Sequence, residues 1–313
     1  MSRKTTVTTG TFDGVHLGHR MLLRELGRIA ASSATHPLVL VLSPHPLTLV
    51  APDRAPALLT TPQDRIGEIR RILPEADVRT LRFDESLRSL THREFMAMLR
   101  DEFGASGILL GHDNRFGSDI RATSDDYRES ASALGLSLCF CDALPGVSSS
   151  NVRKSLLRGD ATGAMRMLGR PYVLKGRVGH GHRLGRTIGF PTANLISDDA
   201  AMLVPSSGVY AIYAVSGGKA YKAIVNIGVR PTVDRSAVPA PSIEAHLLDF
   251  DGDLYGEPLE LHFFRRLRDE KCFPDLDALA LQLRADADAA AAILPDSALF
   301  LNKPNAGPIK TCP

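Results

Sequence analysis

The chain has no tryptophan, only four cysteines and almost no net charge, with 37 lysines and arginines set against 35 aspartates and glutamates. Each shortage excludes something. A net charge of +2 gives no basic field for nucleic acid or an anionic membrane, so any anion site has to be local. Cys139, Cys141, Cys272 and Cys312 form no C-x-x-C pair, and the first two stand at strand spacing in LSLCFC, which suits buried thiols and a reducing cytoplasm. No apolar run approaches the roughly 18 residues of a membrane span, and the opening MSRKTTVTTG lacks the apolar stretch of a signal peptide. These absences predict a soluble, cytoplasmic protein. There is no tandem repeat either.

What is present is ordinary globular material, 44% apolar and 23% charged. At 313 residues the prior expectation is two domains, each with its own core. The two halves differ in grammar. Up to about residue 168, buried strands (TTVTTG, PLVLVL, GILLG, LSLCFC) alternate with helical patterns. Thr61 caps one helix with Pro62 at its first position, and Thr91 and Glu94 form a capping box on another. That alternation predicts a parallel, doubly wound sheet with ligands at the carboxyl ends of its strands.

After Gly169, runs such as GVYAIYAV, KAYKAIVNIG, SIEAHLLDF and PLELHFF are separated by turn residues, which predicts a small antiparallel barrel. A helix beginning near Pro274 and including the alanine-rich RADADAAAAIL closes this half. The predicted division is therefore residues 1–168, 169–295 and a loose, proline-containing tail at 296–313.

Four segments carry chemistry. TTGTFDGVHLGHR places His16 and His19 three residues apart, behind Gly10 and Gly14 and ahead of a helical pattern. A zinc protease would need H-E-x-x-H, which is absent. A turn after the first strand of a parallel sheet instead aims backbone N–H groups and a helix's positive end at an anion, and both imidazoles can donate to phosphate oxygens. Next, GVSSSNVRKSLL sets Ser148, Ser149 and Ser150 at a helix start with Arg153 one turn on, a set suited either to capping or to phosphate.

In the second half, GRVGHGHRLGRTIGFPTANL is glycine-rich, and its Thr192 and Asn194 present two oxygens on one side of an extended segment, suitable for Mg²⁺. It contains no Walker P-loop. In PSIEAHLLDF, strand alternation puts Glu244 and His246 on one face, opposite Ile243 and Ala245. DFDGDLYGEPLE has aspartates at EF-hand spacing, but position 6 is Leu254 rather than glycine. That segment is expected to be a hairpin turn instead.

On these residues the chain resembles bacterial bifunctional riboflavin kinase/FAD synthetases. FDGVHLGH is similar to their amino-terminal module and to the H-x-G-H segment of nucleotidyltransferases, SPHP follows in order, and GHDNRFG looks like their G-x-D-F-x-F-G loop. GVSSSNVR resembles their I-S-S-T-x-x-R, and G-F-P-T-A-N their riboflavin kinase motif. The resemblance spans about residues 5 to 294. It implies a nucleotidyltransferase-like, Rossmann-type sheet followed by a kinase barrel with a C-terminal helix.

The resemblance also implies ATP and Mg²⁺ used twice, to make FMN from riboflavin and FAD from FMN, with small-molecule partners only and a monomer or weak homo-oligomer. His16, His19 and Arg153 would act in adenylyl transfer, with Gly10, Phe12, Gly14 and Ser148 to Ser150 at the ATP phosphates. Glu244 would be the kinase's base, Thr192 and Asn194 its metal ligands, and Gly176, Gly181 and Arg186 its phosphate-binding loop. Asp113, Arg115 and Arg268 would contact flavin or nucleotide, and NIGVRPT would shape the kinase site. Asn114 and Ser150 depart from the family pattern. A kinase with a weakened adenylyl site and a flavin-nucleotide binder without turnover therefore remain as alternatives.

Overall fold

The computed structural model describes residues 3–112, 116–119, 121–180, 189–229 and 241–296. Asp113, Asn114, Arg115, Gly181, Arg186, Arg230 to Thr232 and the tail beyond Asp296 lie outside that set. The chain forms two compact units, Met1–Ser148 and Ser149–Pro313.

The first unit is a five-stranded sheet in the order β3-β2-β1-β4-β5. Its strands are β1 (Thr5–Gly10), β2 (His36–Ser43), β3 (Asp77–Arg82), β4 (Ala105–Gly111) and β5 (Ser137–Cys141). Every pairing is parallel, so chain order reverses between β1 and β4. In such sheets that reversal opens a crevice at the strands' carboxyl ends.

The helices are α1 (Leu17–Ser32), α2 (Pro46–Val50), α3 (Pro62–Ile72), α4 (Glu85–Ser89), α5 (His92–Phe103) and α6 (Ser124–Ala133). Strand alternation divides their cores. Leu38, Leu40, Ile108 and Leu110 meet α5 and α6 through Phe95, Met96, Leu99 and Tyr127. Val39, Val41 and Leu109 face the opposite way, onto Leu22, Leu23 and Leu26 of α1 and Ile69 of α3. Thr61 caps α3 and Thr91 closes a capping box on α5, as their spacing predicts. The expected burial of Cys139 is corrected. On the edge strand β5 only Cys141 is covered, and Cys139 is exposed.

The second unit begins with α7 (Ser149–Leu157) and α8 (Ala161–Leu168). Helix α8 packs on barrel strands, with Thr162 Oγ1 donating to the Phe264 carbonyl at 3.0 Å. Strands β6 (Tyr172–Gly179), β7 (Ala193–Ser197), β8 (Gly208–Ser216), β9 (Lys219–Val229), β10 (Pro241–Leu247) and β11 (Pro258–Arg268) close into an antiparallel barrel, ordered β10-β7-β6-β11-β8-β9. The final helix, α9 (Leu276–Ile293), lies over β8 and β9. This explains why GVYAIYA is buried at all seven positions rather than alternating. Val209, Ala211 and Tyr213 pack against Ala290 and Leu294, and the intervening Tyr210 and Ile212 are also fully buried.

The barrel order corrects one expectation. Strands β10 and β11 are not neighbours, so the aspartate-rich segment between them is no hairpin turn. It crosses the end of the barrel and hydrogen-bonds to β6, with Gly256 N donating to Val178 O at 2.8 Å and Val178 N to Glu257 O at 3.1 Å.

Candidate functional site

In the first unit the turn from Phe12 to Val15 leaves β1 and starts α1. Three of its residues take positive φ, Phe12 at 49°, Gly14 at 81° and Val15 at 42°. Glycine adopts this freely, but a β-branched residue there is strained by about 1–3 kcal/mol, and such strain persists only where the surroundings enforce it. The enforcing group is Asp13, fully buried. Its carboxylate accepts from the backbone N–H groups of Leu59 and Thr60, from the Thr60 hydroxyl, and from Arg65 Nη2 at 2.9 Å. Thr60 Oγ1 in turn accepts from Gly14 N at 3.0 Å. None of this was expected from the sequence, because residues 13 and 65 are far apart in the chain; the threonine cap before α3 was the one local signal.

The turn delivers the two histidines as a stacked pair, ring centroids 3.7 Å apart. His16 caps α1, its Nδ1 accepting from His19 N at 3.3 Å, which leaves its proton on Nε2 as a donor. Nδ1 of His19 is shielded from solvent and has no hydrogen-bond partner among the described residues. Burial, then His16, then Arg65 hold the His19 imidazole well below the usual histidine pKa, so at neutral pH the free site presents it uncharged. A Cβ at Gly18 would meet the His16 ring at 3.2 Å, so a larger residue there would press on the stacked pair. Among the described residues no group of three or more histidine, cysteine, aspartate or glutamate side chains is placed to hold a metal ion.

Phe12 supports the histidine pair from below. Its ring is buried in the core, beneath Gly10 and 5.2 Å from the His19 ring, and it acts as a floor. Beyond β4, Phe116 N donates to the Tyr127 hydroxyl at 3.0 Å and Asp119 accepts from His92 N at 2.9 Å. The first bond ties the downstream end of the GHDNRFG segment to α6, and the second ties Asp119, just past it, to α5. Ser149, Ser150 and Arg153 lie on the first turns of α7, and Ser148 precedes it.

In the barrel, register builds the second group. Glu244 of β10 stands directly opposite Asn194 of β7 and, on its other side, Asn226 of β9. Opposed residues in a ladder share a face, so the carboxylate lies between two amides. The burial pattern agrees, with Ile243, Ala245 and Leu247 inside the barrel and Glu244 and His246 on the outer, half-buried face. Thr192 is two residues from Asn194 and half-buried with it. His246 Nδ1 makes a 2.8 Å hydrogen bond with the Pro191 carbonyl, and its ring lies 5.0 Å from that of Phe190. Because a carbonyl only accepts, Nδ1 carries the proton, and His246 thereby fixes the segment that leads into Thr192.

Beside Thr192 is a cavity of about 370 Å³, bordered by Val178, Pro191, Leu247, Phe250 and Tyr255. The segment that crosses the barrel end forms one wall. The cavity's lining also includes Ala193 and Ala245, which with Leu247 belong to the face opposite Glu244, and it does not include Glu244.

Gly176 and Arg268 each have a packing role within the barrel unit. Gly176 lies within β6, and a Cβ there would come within 2.0 Å of the Ile196 carbonyl oxygen. The close approach of β7 leaves no room for a side chain at this position. Arg268 donates through Nε and Nη2 to Asp286 of α9, at 3.0 and 2.7 Å, and through Nη1 to the Asp269 carbonyl. Gln282 donates to the same carboxylate at 2.9 Å. Arg268 thus pins α9 to the barrel.

A reversed parallel sheet with a paired-histidine helix start, carried in one chain with a barrel whose ladder sets a carboxylate between amides, has the build of a transferase that handles phosphate in two places. The family model described as FAD synthetase matches residues 1–153, and that described as riboflavin kinase matches residues 168–294. A bifunctional riboflavin kinase/FMN adenylyltransferase of Pseudomonas fluorescens is 36% identical, covering 95% of each chain. Its counterpart in Bacillus subtilis (strain 168) is 32% identical over 92% of each. The chain belongs to the bifunctional riboflavin kinase/FMN adenylyltransferase family.

A solved structure titled as a macrolide-efflux protein from Streptococcus pneumoniae matches with a TM-score of 0.84 at 29% identity, over 93% of this chain and 95% of that one. What that likeness carries here is the fold. Among the described residues no helix is long and apolar enough to cross a membrane.

Proposed function

We propose that this chain makes FMN from riboflavin and FAD from FMN, spending ATP in each step. The observation that carries the reading is the placement of Glu244 opposite Asn194, beside Thr192. In the kinase step the ribityl hydroxyl attacks the γ-phosphorus of ATP, its proton passes to the Glu244 carboxylate, and ADP leaves. A neutral alcohol needs such a base. The cavity beside Thr192 is of the size that holds a small ligand, and it takes the base of ATP.

Thr192 and Asn194 offer two neutral, hard oxygens next to a carboxylate, a donor set that fits Mg²⁺. Bound there, Mg²⁺ would neutralise charge on the transferred phosphate. His246 holds Pro191, and so keeps the two ligands in register with Glu244.

In the adenylyl step an FMN phosphate oxygen attacks the α-phosphorus of ATP and pyrophosphate leaves. The nucleophile is already ionised, so stabilisation of charge does the catalysis. His16 and His19 donate to that charge at the sheet's crevice. By their motif, Ser148 to Ser150 and Arg153 bind the outer phosphates, and the FAD synthetase match extends through residue 153. In these terms residues 1–168 make FAD and 169–295 make FMN. The partners are riboflavin, FMN and ATP, with no nucleic acid or membrane, in a cytoplasmic monomer or weak homo-oligomer.

Incubation with riboflavin, ATP and Mg²⁺, followed by separation of the flavins, yields FMN and then FAD on this reading. FMN alone assigns the chain to a kinase without adenylyl transfer. Neither product, from a folded protein, contradicts the assignment.

A further inference from the structure

The strained turn that presents the histidines is held by a residue outside every motif. Arg65, on the first turns of α3, is 3% exposed and shares a buried ion pair with Asp13. It also reaches past the carboxylate. Nη2 donates to the Thr60 carbonyl at 3.0 Å as well as to Asp13, and Nε donates to the Thr60 hydroxyl at 3.3 Å. One guanidinium therefore joins three parts: α3, the Leu59 to Thr60 segment, and the Phe12 to Val15 turn. The fork geometry is what a planar guanidinium supplies and an ammonium does not.

We propose that Arg65 is a positioning residue for adenylyl transfer, locking the Phe12 to Val15 turn through Asp13 and Thr60 so that His16 and His19 are aimed together at the transferred phosphate. The proposal rests on the reading of that histidine pair as the adenylyl site. Its physical basis is the combination found here: consecutive positive-φ residues at Val15 and Gly14, a carboxylate at the turn's centre with no exposure, and a cation bridging that carboxylate to the next element. A small displacement of aimed groups costs rate far more than it costs binding.

The same charge bears on His19 directly. After burial, His16 and then Arg65 are the ionisable groups that lower its pKa, with Asp13 of the turn paired to Arg65. Loss of Arg65 should therefore change how His19 titrates, as well as how it is placed.

The test uses the full chain with Arg65→Lys and Arg65→Gln, and His19→Ala as reference. Initial rates of FAD formation from supplied FMN and of FMN formation from riboflavin are measured in each, with thermal unfolding to choose a temperature at which every variant is folded. The expected result is a fall in kcat for FAD formation of roughly 100-fold in Arg65→Gln and roughly tenfold in Arg65→Lys, KM changing far less and FMN formation staying at the parent rate. The His19 imidazole, followed by its ring nitrogen signals in NMR, should titrate at higher pH in Arg65→Gln.

Variants that lose thermal stability but keep kcat within twofold, with an unmoved His19 titration, make Arg65 structural and overturn the proposal. If His19→Ala also forms FAD at the parent rate, it is the reading of the histidine pair that has failed. Parent-like Arg65 variants beside an inactive His19→Ala sink the positioning role alone.

Discussion

The two candidate sites are made in opposite ways. In the barrel, Glu244, Asn194, Asn226 and His246 get their positions from the ladder itself: two-residue alternation and strand register put them on one face. At the sheet crevice the histidines sit on backbone that resists its own conformation, at Phe12 and Val15, and a buried ion pair holds it there. A ladder needs no special backbone to present a carboxylate between amides. Groups converging on one phosphate from a helix start do need it, and the clamp is the cost. The comparison predicts that the barrel site depends on individual side chains, whereas the crevice site also depends on partners that touch no substrate.

The largest effect expected in the barrel is that of the base. Glu244→Gln keeps shape and amide neighbours but cannot take the proton, so FMN formation should drop on the order of 10²–10⁴-fold. FAD formation from supplied FMN should persist. Assaying both steps in the one variant checks this, and an undiminished kinase rate would remove Glu244 from its role.

A smaller loss is expected at His246. Its single hydrogen bond to Pro191 is worth about 1 kcal/mol, so His246→Ala should slow FMN formation by roughly fivefold, and His246→Asn, which keeps a donor, should recover part of it. A recovery seen in stability but not in kcat would make the contact structural only.

The ladder is also the part that was legible in the sequence. Thr192 and Asn194, Glu244 and His246 follow from spacing along single strands, and the caps at Thr61 and Thr91 from spacing along single helices. What escaped depends on residues distant in sequence. Asp13 with Arg65 and Arg268 with Asp286 are pairs that no local pattern announces. GVYAIYA reads as alternating until α9 is laid across it, and the Asp249 to Gly256 segment reads as a hairpin until the barrel order separates its two strands. Gly176 fits a phosphate loop by composition, and the nearness of the Ile196 carbonyl adds a packing constraint on it that composition does not show.

The smallest expected effect is on stability against pH in the first unit. His19 is held below the usual histidine value by burial first, then His16 and Arg65, so folding favours its neutral form. The stability this contributes is fully present above the unfolded imidazole's pKa of about 6.5 and is lost as pH falls toward the lowered folded value. His19→Gln should flatten that acid-side decline in thermal unfolding curves. An unchanged slope would place the titration elsewhere.

The central claim is that the stacked histidines serve one reaction of the two. His19→Ala, given riboflavin, ATP and Mg²⁺, measures it most directly. Loss of about 3–4 kcal/mol of transition-state stabilisation predicts that FMN accumulates at the parent rate while FAD stays near background. FAD formed at the parent rate, or both products lost together in a folded protein, would contradict the account.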